Sequence, residues 1–119
     1  VILVVDDEQP LRDLLSGYLA RLGYEVEACA TAGEALTRFR ERPSGYALVL
    51  SDAIMPEMSG QELLARVTGL NPEVRAVLTS GLPVSLPPLP PGAAGRVRFL
   101  QKPYTPAQLA QLIKELLEN

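Results

Sequence analysis

The chain has 119 residues, enough for one domain with a buried core, and 47% of them are hydrophobic. Eleven basic residues against fourteen acidic ones leave a net charge of −3, with no basic footprint of the kind that holds nucleic acid. A single cysteine, Cys29, excludes an internal disulfide, the absence of histidine excludes a cysteine–histidine metal cage, and no apolar run reaches the roughly 20 residues of a membrane span. With no signal peptide visible, the expected setting is cytoplasmic, with no membrane contact. The sequence opens inside a strand-like run at Val1 and closes on a helical one, so residues 1–119 read as a single domain excised from a longer chain.

In chain order, residues 1–5 form a wholly apolar run of strand length, closed by Asp6, Asp7 and Glu8. Leu11, Leu14, Leu15, Tyr18, Leu19 and Leu22 then follow helical spacing, with Pro10 suited to the helix start and Gly23 to its end. Residues 24–28 alternate polar and apolar, as a strand nearer a sheet edge does. Thr31 with Glu34 has capping-box spacing and opens a second helix. Residues 46–51 read as a third strand, closed by Asp52, and Ser59 with Glu62 opens a third helix. Residues 75–79 make a fourth strand. Residues 82–95 hold Pro83, Pro87, Pro88, Pro90 and Pro91. An interior proline costs a helix about 3 kcal/mol and pushes its predecessor out of helical geometry, so this segment is expected to be extended or irregular. Residues 97–100 form a fifth strand, followed by Lys102-Pro103, and Thr105 with Gln108 opens a last helix carrying Leu109, Leu112, Ile113 and Leu116. The helical stripes read as core. Strands alternating with helices imply an α/β fold, a parallel sheet wrapped on both faces.

Such a sheet gathers the carboxyl ends of its strands along one edge. Asp6 and Asp7, Asp52, and Lys102 each follow a different strand and can therefore converge there. Clustered carboxylates repel one another, a hard divalent cation such as Mg²⁺ relieves the repulsion, and a nearby lysine can hold a phosphoryl oxygen. The combination describes a site that takes a phosphoryl group.

Four motifs carry a family resemblance: VVDDE at 4–8, SDAIMPEMSG at 51–60, LTSG at 78–81 and FLQKP at 99–103. In this order, on these strands, the whole chain resembles the receiver domain of bacterial two-component signalling. The resemblance implies a flavodoxin-like doubly wound sheet of five parallel strands in the order 2-1-3-4-5, with the site at the switch point between the first and third strands. It implies that Asp52 is the phospho-acceptor, served by a phosphohistidine on a histidine kinase or phosphotransfer domain. Asp7 would ligate Mg²⁺ directly and Asp6 largely through water, with Asp52 and the backbone carbonyl of Ile54 completing the protein's share. Lys102 would contact a phosphoryl oxygen, helped by a cis peptide bond before Pro103. Ser80, and not Thr79, matches the hydroxyl position at the end of the fourth strand. Phe99 matches the aromatic switch position on the fifth. The LTSG wording, with apolar Ile54 and Leu82 flanking the site, resembles receivers attached to hybrid sensor kinases more than DNA-binding regulators.

Other readings compete with these. Asp6 or Asp7 could cap the first helix. Asp52 could be a turn residue, although a carboxylate closing an apolar strand is costly without a partner. Lys102 could be an ordinary solvated lysine, although it is one of only two lysines beside nine arginines. Ser80 could be a loop hydroxyl, and Cys29 a small packing residue. At the level of the domain, a receiver-fold interaction module working without phosphorylation is the alternative. An aspartyl-phosphate phosphohydrolase is a third reading, weakened because Ile54 stands where such enzymes carry a second aspartate. The resemblance places a fourth helix over 82–95, where the prolines stand. Its degradation or replacement by a Pro-rich loop implies weak or absent oligomerisation through that face.

Overall fold

The computed structural model describes residues 1–118, and Asn119, the last residue of the expected domain, lies outside the described residues. Five parallel strands form one sheet in the order β2-β1-β3-β4-β5: β1 Ile2–Val5, β2 Val26–Cys29, β3 Leu48–Asp52, β4 Arg75–Ser80 and β5 Val97–Gln101. Four α-helices connect or follow them: α1 Gln9–Arg21, α2 Ala32–Glu41, α3 Gly60–Leu70 and α4 Pro106–Glu118. The flavodoxin-like topology is the one the resemblance implies.

Strand alternation divides the core into two layers. Ile2 and Val4 of β1, Leu48 and Leu50 of β3 and Val77 of β4 pack with Leu15 and Leu19 of α1 and with Leu109, Ile113 and Leu116 of α4. Leu3, Val5, Val49, Ala76, Leu78 and Val97 point the other way, onto α2 and α3. Because β1 is covered on both faces, its residues must be apolar in succession, and that produces the unbroken VILVV run, whereas the edge strands β2 and β5 are only partly buried and carry Glu27 and Arg98.

Helix starts follow the expected caps. Thr31 Oγ1 accepts from the Glu34 N–H and Ser59 Oγ from the Glu62 N–H, each at 3.1 Å. Thr105 and Gln108 exchange two bonds, 3.1 and 2.7 Å, in a complete capping box. Two residues past the end of α1, Gly23 has a φ of +99° and closes the helix terminus, its N–H and that of Tyr24 reaching back to the Ala20 and Leu19 carbonyls. Tyr24 is thereby held in the helix terminus, so β2 begins at Val26 and not at residue 24.

Two expectations need correction. The first helical stripe is not all core, since Leu14 is 63% and Leu22 48% exposed while Leu15 and Leu19 are buried. Six apolar positions cover a wider arc than one sheet face can bury. The Pro-rich segment has no regular secondary structure from 83 to 90, as expected, but its end is ordered differently. Gly92, with φ +87°, permits a turn in which the Ala93 N–H bonds the Pro90 carbonyl, and Ala94–Arg96 then forms one 3₁₀ turn before β5. The segment lies on the α2/α3 side, where Val84, Leu86 and Leu89 rest on the core. Among the described residues no helix is long and apolar enough to cross a membrane.

Candidate functional site

The site is assembled by strand register. Val5 pairs with Ser51, so the next residues along, Asp6 and Asp52, emerge side by side at the carboxyl ends of β1 and β3. Asp52 pairs with Thr79, and Ser80 with Gln101, which brings the ends of β4 and β5 to the same edge. Backbone bonds lock the strand ends together: the Ala53 N–H donates to the Thr79 carbonyl at 2.7 Å, and the Lys102 N–H to the Ser80 carbonyl at 2.8 Å. The peptide bond between Lys102 and Pro103 is cis, in keeping with the resemblance.

One carboxylate oxygen from each of Asp6, Asp7 and Asp52 lies within 4.8 Å of the others. The Lys102 ammonium is 3.6 Å from Asp52 Oδ1. Asp6 is only 2% exposed, Asp52 is half-buried and Asp7 is open to solvent. Burial pushes the Asp6 carboxyl above the usual carboxylate range, and the charges of Asp52 and Asp7 push the same way. The Glu8 N–H, which donates to Asp6 Oδ1 at 2.9 Å, and the Lys102 charge oppose the shift. The helix-cap reading is not what the structure shows: the α1 N-cap is Glu8, with no side-chain cap bond, and Asp6 instead ties its own loop. An all-oxygen donor set with three carboxylates in reach of one another fits a hard divalent cation such as Mg²⁺, and this cluster can hold one.

Ser80 is buried at the end of β4, and its Oγ accepts from the Leu82 N–H at 3.1 Å. Ile54 lies in the loop after β3 with its side chain exposed. Phe99 of β5 pairs with Leu78 of β4 and packs, half-buried, on the α2/α3-side core, the cluster on which the Pro-rich segment also rests.

Three contributors escape a reading by residue type. Arg12 donates from Nη1 to the Asp6 carbonyl at 2.7 Å, pinning the acidic loop from one turn inside α1. Gly60 packs so closely that a Cβ would lie 2.2 Å from the Asp52 carbonyl oxygen and 2.7 Å from Leu78. Its place in the SDAIMPEMSG motif was its only signal. Tyr104, directly after Pro103, has its hydroxyl pKa raised by burial first and then by Asp6 and Asp52, which places it near the cluster. It also lines an apolar groove of about 450 Å³ between α1 and the start of α4, together with Leu11, Leu14, Tyr18 and Lys102.

Fold and site place the chain among flavodoxin-like α/β domains whose functional edge lies at the carboxyl ends of the strands, at the switch point between β1 and β3. The family model of the response regulator receiver domain matches residues 2–114. The chain is 30% identical over 119 residues to the DNA-binding transcriptional regulator NtrC of Azospirillum brasilense, covering 99% of this chain and 24% of that protein. It is 33% identical over 118 residues to the sensor kinase CckA of Brucella abortus, covering 99% of this chain and 12% of that one. It thus spans a quarter or less of these curated relatives. The crystal structure of the receiver domain from the hybrid histidine kinase CckA superposes with a TM-score of 0.82 at 32% identity, covering 98% of this chain and 97% of that one. The chain belongs to the response regulator receiver domain family of two-component signalling, whose members are signalling domains that work with histidine kinases or phosphotransfer proteins.

Proposed function

We propose that this domain accepts a phosphoryl group on Asp52 from a phosphohistidine of a histidine kinase or phosphotransfer protein, in the cytoplasm, and passes on a conformational signal. The observation that carries this reading is the meeting of Asp6, Asp7 and Asp52 opposite Lys102 at one sheet edge. An Asp52 carboxylate oxygen attacks phosphorus, the phosphorus–nitrogen bond breaks, and the imidazole nitrogen leaves with the electron pair. Asp7, Asp6, Asp52 and the Ile54 carbonyl are the groups that would hold Mg²⁺, which when bound neutralises charge on the transferring group. Lys102 steadies a phosphoryl oxygen from the other side. Ser80, already on the same strand edge, turns its hydroxyl toward that oxygen, and Phe99 responds on β5.

The groove between α1 and α4 supports the same reading. It is apolar, it opens beside Lys102, and its rim includes the exposed Leu14, so a helix bearing the donor histidine can seat there. The LTSG wording and the likeness to the CckA receiver favour a hybrid sensor kinase as the parent protein. Intact-mass measurement with acetyl phosphate tests the assignment. The chain should gain one phosphoryl group only with Mg²⁺ present, and Asp52→Asn should gain none. A labelled Asn variant would place the acceptor elsewhere.

A further inference from the structure

The crossover from β4 to β5 has a periodicity of its own. Leu82, Ser85, Pro88 and Pro91 are all exposed, each three residues from the next. Between them Val84, Leu86 and Leu89 rest on the α2/α3-side core, and Pro87 and Pro90 are half-buried. A strand would expose alternate residues, and an α-helix would drift away from a period of three. Three residues per turn is the repeat of polyproline II, an extended helix without internal hydrogen bonds, and proline's fixed φ near −65° favours it. Residues 83–90 indeed form no regular hydrogen-bonded element. Pro83, at the start, is exposed as well, so the period of this anchored ridge holds from Val84 onward: Val84, Pro87 and Pro90 form one inward row, Leu86 and Leu89 a second, and Ser85, Pro88 and Pro91 the free one. At about 3.1 Å per residue, that free row, with Leu82 ahead of it, extends up to roughly 28 Å.

We propose that the row Leu82–Ser85–Pro88–Pro91 is a docking edge for a partner protein that reads polyproline II through an aromatic-lined groove with an acidic residue at one end. Pro88 and Pro91 stand one turn apart, the spacing such grooves accept. No charged residue occurs from 81 to 95, so the ridge enters an apolar groove without desolvating a charge. Arg96 supplies a cation at its far end, held there by donation to the Gly92 carbonyl. The inward rows fix the ridge beforehand, which removes much of the ordering cost a free proline-rich peptide bears on binding. Beyond Leu82, whose N–H donates to Ser80 Oγ, the row from Ser85 to Pro91 is separate from the carboxylate site, and docking on it does not require Asp52 to be phosphorylated.

The test is a titration of the isotope-labelled chain with an isolated WW domain and, separately, an isolated SH3 domain, followed by amide chemical shifts. At least one should give saturable shifts at Ser85, Leu86, Leu89 and Gly92. The double variant Pro88→Ala, Pro91→Ala should weaken binding by about tenfold or more, and so should Ser85→Asp, which keeps every proline. Unchanged thermal unfolding of these exposed-site variants separates lost docking from lost fold. No shifts with either domain, shifts confined to the α1–α4 groove, or equal affinity of the variants would overturn the proposal. Shifts that instead follow the chain's own concentration would make the row a self-association surface and overturn it as well.

Discussion

Gly60 and Asp6 show how single positions hold the site in tension. Gly60 begins α3 against the Asp52 carbonyl, and its N–H donates to the Ala53 carbonyl at 2.9 Å. A methyl group there must displace main chain on β3, not a pliable side chain. Gly60→Ala is therefore expected to destabilise the fold by about 2–3 kcal/mol and to slow labelling of Asp52, read by urea unfolding and by intact mass. Asp6 works the other way. Its carboxyl holds a proton to higher pH in the folded chain than in the unfolded one, chiefly because it is buried. The contribution to stability is therefore fully present below the usual carboxylate range and is lost as pH rises through the raised value. Asp6→Asn keeps an oxygen for the Glu8 N–H and removes the buried charge. Without divalent cations it should stabilise the chain at neutral pH by on the order of 1 kcal/mol, with the gain fading in acid. Added Mg²⁺ should reverse the ranking, because it stabilises only the chain that binds it well. A gain independent of pH would show that titration of Asp6 is not the cause.

The elements were legible in the sequence where one local rule governs them. Capping pairs at Thr31, Ser59 and Thr105 and the apolar strands leave one-dimensional signals, and the carboxylates and Lys102 follow from the topology those elements imply. What was not legible depends on contact between distant pieces. The Arg12 bond to Asp6, the room Gly60 leaves for Asp52 and the exposure of Leu14 are set by packing. The Pro-rich crossover was legible as the loss of a helix but not as a ridge seated on Val84, Leu86 and Leu89, because proline dictates φ and not the side on which a chain lies. Ser80 meets this crossover directly, through the Leu82 N–H. A hydroxyl drawn toward a phosphoryl group would tug Leu82 and Gly81, yet no helix follows to carry the motion. Hydrogen exchange with a beryllofluoride mimic should then change at 80–82 and little over 86–93. Sedimentation should show no mimic-induced dimer through that face. Helix-like protection there, or tight dimers, would contradict this picture.

At the scale of the molecule, the carboxylate edge separates two surfaces of different character. On the α2/α3 side lies the ridge, and on the other the α1–α4 groove opens next to Lys102 and Tyr104. Under the proposed function a phosphohistidine would have to come in line with Asp52, and the groove is an apolar surface that opens beside Lys102. Small donors need only the carboxylates and the lysine, whereas a protein donor also needs somewhere to rest a helix. Leu14 separates the two demands, being an exposed apolar side chain that lines the groove and carries no group the transfer itself would use. Leu14→Arg should leave labelling by acetyl phosphate unchanged and slow transfer from a phosphorylated phosphotransfer domain by about tenfold or more, the scale of one lost apolar anchor. Parallel single-turnover assays with the two donors provide the comparison. Equal loss with both would mean that the substitution disturbs the carboxylate site, and no loss with either would move the donor's seat away from α1.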